Sequence, residues 1–220
     1  MTRVSGDRNK RSILSDVEFE KLIAQARVND CSFLSIRNPA ILCTLRIFGK
    51  RREEIASLKY PDVWVDSEKI NFNFILLKKH RARAPEVVRS VLLKDPLVPY
   101  ILTYKKHLDS VEPDPLVFWP QVYSVFGHDY VVNYKKGIGG RTIYNVVRGA
   151  GDKTGIAVWP HLFRETAGGE EAREDPTLYG IRKVMNRLNV TERTAWAYMD
   201  RHVLSVVKPR YKQEEKNQNE

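Results

Sequence analysis

Apolar residues recur at helical spacing along much of the chain, and the first such stretch carries a start signal. Ser15 and Glu18 have the spacing of a capping box, in which each side chain hydrogen-bonds the backbone amide of the other residue. Phe19, Leu22 and Ile23 follow at intervals of three and four. We therefore predict a helix that starts at Ser15 and buries this face.

Further helices are predicted on both sides of a central region of different pattern. Asn38-Pro39 favours a helix start, because Asn caps free amides and Pro is tolerated in the first turn, and Gly49 favours its end. The remaining start and stop signals predict helices over residues 52–58, 96–108, 142–155, 177–188 and 191–199, and one that begins at His161.

The central region has the alternating pattern of strands. Residues 70–74 alternate apolar and polar side chains, and residues 87–92 supply a partner, so we predict a small antiparallel sheet. The segment between them is a predicted hairpin tip rich in cations. Residues 121–140 contain Gly, Tyr and Lys and are predicted to form a long loop, which in compact domains is commonly functional or mobile.

This order of elements predicts a mainly α fold with a small antiparallel β-sheet, in the α+β class. No internal repeat is found, and 220 residues suit one domain. We expect residues 1–14 to be a flexible basic N-terminus, residues 15–207 to form the domain, and the polar residues 208–220 to be disordered.

Composition indicates an anionic partner. The chain has 37 Lys and Arg against 27 Asp and Glu, a net charge of +10, and nucleic acid is the usual partner of so basic a protein. No apolar run approaches the roughly 18 residues of a membrane helix, and no signal peptide is evident, so we expect a cytoplasmic protein. Cys31 and Cys43 are then expected to be reduced core thiols.

The candidate chemistry rests on cations and tyrosines. No metal-ligand cluster, phosphate-binding Gly loop or Gly-x-Ser-x-Gly turn occurs, so neither a metal nor another cofactor is expected. His161 and Arg164 are three residues apart, which places both on one helical face where they can hold one phosphate. The same spacing recurs at His80 and Arg83, so the spacing alone is also compatible with structural roles.

Two ordered motifs resemble those of the tyrosine recombinases, the phage-integrase family. Residues 161–167, HLFRETA, are similar to the second conserved box, His-x-x-Arg followed by Thr and small residues. Residues 48–58, FGKRREEIASL, are similar to the first box, a glycine turn into a helix. In this resemblance Arg51 takes the position of the catalytic arginine and Glu54 that of a buried supporting acid.

The resemblance extends to a lysine and a tyrosine at the expected places. The family carries a catalytic lysine in the hairpin of the small sheet, where Lys79 is the candidate and Lys78 the open alternative. Its nucleophilic tyrosine follows the second box near the end of the domain, which points to Tyr198. The resemblance runs from Ser15 to Met199 and rests on four elements in order.

The chain departs from the family pattern in three respects. The family has His or Trp about two and a half helical turns before the tyrosine, whereas this chain offers only Asn189 or Arg187 as a hydrogen-bond donor. Lys50 stands where an apolar residue is common, and we expect it to extend the DNA-facing charge. About 15 residues precede the first predicted helix, so we expect this sequence to correspond to the family's catalytic domain without the separate N-terminal DNA-clamping domain.

The resemblance implies a site-specific DNA recombinase that cleaves and rejoins DNA through a 3′-phosphotyrosine. Arg51 and Arg164 would clamp the phosphate, Lys79 or its neighbour would protonate the leaving oxygen, and His161 would accept the proton of Tyr198 or orient the phosphate. Two alternatives stay open: an inactive or weak DNA-binding regulatory relative, and a strand-relaxing enzyme similar to type IB topoisomerases.

The expected partners are double-stranded DNA and further copies of this chain. The resemblance implies four protomers in the full complex, and residues 203–207 are apolar enough to pack on a neighbour in trans. The expected DNA-binding residues outside the catalytic set are cationic: Lys50, Arg52, Lys78, Arg81, Arg83 and Arg141.

Overall fold

The computed structural model describes residues 13–77, 85–125 and 129–204. The helices are α1 (Asp16–Arg27), α2 (Ser32–Phe48), α3 (Arg52–Ala56), α4 (Val98–Val111), α5 (Gly140–Thr154), α6 (Pro160–Glu174), α7 (Leu178–Leu188) and α8 (Glu192–Met199). The strands are β1 (Val63–Val65), β2 (Lys69–Ile75), β3 (Glu86–Leu92), β4 (Pro120–Val125) and β5 (Asp129–Gly137). The predicted α+β class is confirmed.

Local signals account for the ends of the first helices. The capping box predicted for α1 is present, with the Ser15 amide donating to Glu18 at 3.0 Å. Gly49 ends α2 as predicted, and it adopts the left-handed conformation with φ of 57°. A Cβ at Gly49 would lie 2.9 Å from the Cβ of Ala167, so glycine also permits α2 to approach α6.

The predicted start of α2 is wrong. The helix begins at Ser32 rather than Asn38, and Pro39 lies inside it. Phe33 is buried in the added turn, and the buried Arg37 donates to the carbonyl oxygen of Pro120 at 2.7 Å. These tertiary contacts stabilise a first turn that the local capping signals did not indicate.

The predicted antiparallel sheet is present and has a third strand. Strands β1, β2 and β3 are neighbours in that order, and Phe72 of β2 pairs with Arg89 of β3. Phe72 and Phe74 stack at 5.7 Å and contact Phe48 at the end of α2. The sheet is thereby fixed beside the Gly49 turn. Its predicted hairpin tip, residues 78–84, lies outside the described residues.

The prediction of a long loop over residues 121–140 is wrong for the residues that the structure describes there. Strands β4 and β5 form a second antiparallel pair, with Val122 opposite Val132. Val122, Tyr130, Val132 and Tyr134 pack against the main core, and this apolar face drives strand formation despite the polar composition of the segment.

Two groups of buried side chains form the interior. The larger surrounds α2, and the smaller, formed by α6, α7 and α8, includes Leu188 and Tyr198. Cys31 and Cys43 are buried and unpaired, which confirms the expected free thiols. Among the described helices none is long and apolar enough to cross a membrane, and the described part of the chain holds no cluster of three potential metal ligands.

Candidate active site

Arg51 is positioned by the turn after α2 and by a buried acid. Glu54 is 1% exposed, and its carboxylate accepts hydrogen bonds from both the Arg51 amide and the Arg51 Nη1, each at 3.0 Å. The Arg51 side chain nevertheless stays 46% exposed. Glu54 is thus the buried supporting acid that the sequence indicated, and it holds Arg51 in place while leaving its guanidinium accessible to an anion.

Arg164 connects three elements beneath this turn. It projects from α6, is 3% exposed, and donates from Nη1 to the Gly49 oxygen at 2.9 Å and from Nη2 to the Leu188 oxygen at 2.5 Å. These bonds join α6 to the ends of α2 and α7. Burial and the nearby charge of Arg51 lower the pKa of Arg164, yet a guanidinium keeps its charge at neutral pH.

Tyr198 lies on α8 and faces Arg164. Its side chain is 5% exposed, and its ring packs so closely on α6 that a Cβ at Gly168 would lie 2.6 Å from it. Burial and the charge of Glu165 raise the pKa of Tyr198, while Arg164 and Arg201 act in the opposite direction. The hydroxyl is therefore protonated at neutral pH and is held beside a fixed cation.

His161 and Glu165 form the outer part of this region. The His161 side chain is 62% exposed, and its Nε2 lies 3.1 Å from Glu165 Oε1 one turn along α6. Glu165 also pairs with Arg201 at 2.5 Å and lies 3.7 Å from the buried His202. Burial opposes ionisation of Glu165, but His161, His202 and Arg201 outweigh it and hold the pKa of Glu165 well below its usual range.

A cavity of about 340 Å³ opens between these elements. Arg141 adjoins it, because its guanidinium lies 5.2 Å from the ring centroid of Tyr144, the ring that Arg52 approaches at 5.9 Å. The structure thus collects most of the predicted residues that it describes around one opening. The cavity is lined by Lys50, Arg51, Arg52, Glu53, Tyr144, Trp159, Pro160, His161 and Arg164.

Lys50 does not occupy the surface position expected from the sequence. The residue is 1% exposed, and its Nζ lies 5.4 Å from the ring centroid of Phe74 and 3.5 Å from the Arg187 oxygen. Burial, followed by the charge of Arg89, lowers the pKa of Lys50 to about 7. The preceding Gly49 turn directs this side chain inward, so Lys50 forms part of the cavity wall rather than an exposed charge.

Arg187 and Asn189, the two candidates to replace the family's His or Trp, differ in their hydrogen bonding. Arg187 donates to Glu171 at 2.9 Å and to the Ile47 oxygen at 3.1 Å, so its guanidinium is engaged elsewhere. Asn189 accepts from Arg89 at 3.0 Å through Oδ1, and its buried Nδ2 has no hydrogen-bond partner among the described residues. Asn189 is accordingly the candidate with a free donor.

Two residues of this region were missed by sequence reasoning. Arg89 belongs to β3 and reaches the end of α7, a contact that depends on tertiary structure. Glu165 is one helical turn from His161, and this i, i+4 spacing was a readable signal for an ion pair. Among the predicted site residues, four lie outside the described part of the chain: Lys78, Lys79, Arg81 and Arg83.

Comparison with known proteins gives structural matches only. No protein-family model and no curated protein matches the chain. The solved structures of XerH site-specific recombinase bound to difH substrate match with TM-scores of 0.61 before cleavage and 0.65 after cleavage on a palindromic substrate, at 15% and 14% identity. The matches cover 85% and 96% of this chain.

XerA recombinase matches with a TM-score of 0.60 at 24% identity over 92% of this chain. The chain spans 49%, 56% and 62% of the lengths of these three structures. At these identities the likeness establishes the fold. The chain has the fold of the tyrosine-recombinase catalytic domain, as the sequence resemblance implied.

Proposed function

We propose that this protein is a site-specific DNA recombinase that cleaves and rejoins DNA through a phosphotyrosine intermediate, with Tyr198 as the nucleophile. The observation that carries the proposal is the placement of the buried Tyr198 hydroxyl beside Arg164, which itself lines a cavity together with Lys50, Arg51 and Arg52. A tyrosine facing a fixed guanidinium next to a cationic cavity is the arrangement that attack on a phosphodiester requires.

The cations supply charge where the reaction develops it. When a nucleophile adds to a phosphodiester, negative charge builds on the non-bridging oxygens. Arg51 is fixed by Glu54 and remains accessible, while Arg164 is fixed by two backbone carbonyls. Such preorganised donors each contribute about 10²–10³ in rate, because they do not reorganise during the reaction. We assign Asn189 the role of a further hydrogen-bond donor to the phosphate, through its unpartnered Nδ2.

Each proton transfer also has an assigned residue. Tyr198 loses its proton as its oxygen attacks phosphorus, and His161 accepts that proton or orients the phosphate. Glu165 lies 3.1 Å from Nε2 of His161 and orients its imidazole. The leaving 5′ oxygen needs a proton, which the family resemblance assigns to Lys79 or Lys78 of the hairpin. Rejoining is the reverse reaction, and it needs neither metal nor nucleotide because the phosphotyrosine retains the bond energy.

DNA is the proposed partner, and several protomers would act on it together. The net charge of +10, with Arg52 and Arg141 beside the cavity, supports phosphate binding. The XerH structures that share this fold contain their difH substrate. Each subunit would make one strand cleavage, with four protomers in the full complex.

A weak or inactive DNA-binding relative is the second candidate. Asn189 favours it, because a neutral amide replaces the His or Trp of the family and is held by Arg89. A recombinase and a regulatory relative would both bind DNA, but only the recombinase would become covalently attached to it. An assay for a covalent protein–DNA adduct therefore distinguishes these two functions.

The test uses a labelled pool of nicked DNA duplexes with a randomised core, which traps cleavage because the short fragment diffuses away. We expect the wild type to give an adduct that survives denaturation, Tyr198→Phe to give none, and the exposed-tyrosine control Tyr179→Phe to match the wild type. An adduct that persists in Tyr198→Phe would exclude this nucleophile. DNA binding by the wild type without any adduct would support the regulatory relative instead.

A further inference from the structure

We propose that His202 is a further positioning residue for this reaction and that it holds the ring of Tyr198 in place through the carboxylate of Glu165. This inference rests on the proposed function. It extends the site by a buried side chain that lies outside the cavity lining. It also gives Glu165 a second task besides orienting His161.

The first argument is the contact between the rings of His202 and Tyr198. His202 follows Tyr198 by four residues, in a π-helical turn, Asp200–Leu204, that continues α8. The centroids of the two rings are 6.1 Å apart, and their planes differ by 23°. Turns of this kind are rare and occur frequently at functional sites. Because the rings are stacked, any displacement of His202 would be passed directly to the proposed nucleophile.

The second argument is that α6 has a surface that receives both rings. Glu165, Gly168 and Gly169 share one face of this helix, because they are three and four residues apart. A Cβ at Gly168 would lie 2.6 Å from the ring of Tyr198. A Cβ at Gly169 would lie 3.0 Å from Cγ and Cδ2 of His202. Two adjacent glycines thus leave room for the tyrosine and the histidine to pack on α6 as one unit.

The third argument is that the buried imidazole carries polar atoms that packing does not need. The His202 side chain is 0% exposed, and neither Nδ1 nor Nε2 has a hydrogen-bond partner among the described residues. A buried nitrogen without a partner costs free energy, so phenylalanine would serve a packing role better. Nε2 of His202 lies 3.7 Å from Oε2 of Glu165. A shift of roughly 0.7 Å would turn this contact into a hydrogen bond.

The fourth argument is the position of Glu165 between two parts of the site. Its Oε1 lies 3.1 Å from Nε2 of His161, and its Oε2 pairs with Arg201 at 2.5 Å. Burial raises the pKa of Glu165, but His161, His202 and Arg201 together hold it well below its usual range. The carboxylate is therefore ionised at neutral pH. One acid thus locates both the histidine at the cavity and the residue that supports the nucleophile.

Support of this kind affects the rate of cleavage rather than the binding of DNA. The Tyr198 oxygen must reach phosphorus in the correct geometry, and a misplacement of about 1 Å costs on the order of 10²-fold in rate. His202 is 2% exposed, so it offers no surface to a DNA strand. We therefore expect its nitrogens to matter for the rate of adduct formation and not for DNA affinity.

The experiment measures the rate of adduct formation on the labelled pool of nicked duplexes, and DNA affinity by fluorescence anisotropy. His202→Phe keeps an aromatic ring and removes both nitrogens, so we expect adduct formation to slow by about 10–10²-fold at unchanged affinity. His202→Gln loses the ring but places an amide nitrogen near the position of Nε2, where it can donate to Glu165. We expect His202→Gln to keep more of the wild-type rate than His202→Phe, whereas a packing role predicts the opposite order.

Further variants control the comparison. In a Glu165→Gln background, His202→Phe should have little additional effect, because residues that act through one contact are not additive. His107→Phe is the matched control, since its imidazole lies in α4 and bonds the Tyr134 hydroxyl at 3.0 Å, and it should keep the wild-type rate. Urea unfolding verifies that each variant is folded. His202→Leu, which also lacks the nitrogens, replaces His202→Phe if the larger ring prevents folding.

Each outcome decides the question. A wild-type rate in His202→Phe, or a faster rate in His202→Phe than in His202→Gln, would overturn the assignment. Full additivity with Glu165→Gln would overturn it as well, because His202 would then act independently of that carboxylate. So would a loss of rate that is accounted for by an equal loss of DNA affinity. If the wild type forms no adduct, the proposed function itself fails, and that result is distinct from every failure specific to His202.

Discussion

Replacing Gly168 by alanine should displace the proposed nucleophile without touching any charged group. Gly168 lies in α6, and the ring of Tyr198 rests directly on its backbone. A Cβ there would lie 2.6 Å from Cδ1 and Cε1 of Tyr198 and 2.8 Å from Cδ1 of Leu188. Real carbon contacts are about 3.5–4.0 Å, so the tyrosine ring must retreat by roughly 1 Å.

The magnitude follows from two opposing effects. Overpacking a buried site costs about 1–3 kcal/mol, and replacing a helical glycine by alanine returns about 1 kcal/mol of helix propensity. The expected loss of stability for Gly168→Ala is therefore between zero and about 2 kcal/mol. A displacement of about 1 Å at the reacting group costs on the order of 10²-fold in rate.

Gly149→Ala is the matched control, because Gly149 lies in α5 and its added Cβ would meet nothing within 4 Å apart from the adjoining residues and backbone of its own helix. We expect Gly149→Ala to gain about 1 kcal/mol in urea unfolding and to keep the wild-type rate of adduct formation. Gly168→Ala should fall below this control by about 1–3 kcal/mol and lose about 10²-fold in rate. A Gly168→Ala variant as stable as the control and fully active would refute this packing argument.

Three further predictions concern charge. Lys50→Met should be more stable than the wild type at pH 6.5, because Lys50 is charged there in the folded and the unfolded protein and its burial then costs the most free energy. This advantage should vanish as the pH rises from about 7 to 10.5. A difference in the free energy of unfolding by urea that stays constant over this range would contradict the prediction. Glu165, whose pKa is lowered in the fold, stabilises the protein above pH 4.5 and loses this contribution as the pH falls. The loss of unfolding free energy caused by Glu165→Gln should therefore shrink between about pH 5 and pH 2, and a loss that persists would contradict the prediction. DNA affinity should fall by about 10³–10⁵-fold between 50 and 200 mM salt if the protein contacts six to ten phosphates, and fluorescence anisotropy measures it. An affinity that does not change with salt would exclude binding dominated by phosphate contacts.

Local signals were sufficient for most of the helices and for the site motifs. The Ser15 capping box, the Gly49 end of α2 and the Thr177 cap of α7 each depend on residues within one helical turn, so the sequence displays them directly. The family resemblance implied that Glu54 is a buried acid that supports Arg51, and the structure contains this contact.

Tertiary packing decided the features that the sequence did not reveal. Phe33 and Arg37 extend α2 toward its N-terminus through contacts with distant segments, and Tyr130 and Tyr134 convert a polar segment into a strand by packing on the core. Lys50 is charged and was therefore expected at the surface. Its burial depends on the Gly49 turn and on the end of α7, whose approach cannot be read from neighbouring residues.

The most direct test of the central claim is to locate the tyrosine that becomes attached to DNA. The trapped adduct would be digested with nuclease and trypsin and sequenced by mass spectrometry. Cleavage after Arg193 and Arg201 releases residues 194–201, a peptide in which Tyr198 is the one tyrosine. We predict the residual nucleotide on Tyr198 of this peptide. A nucleotide on any other residue, or an unmodified peptide recovered from a stable adduct, would contradict the account.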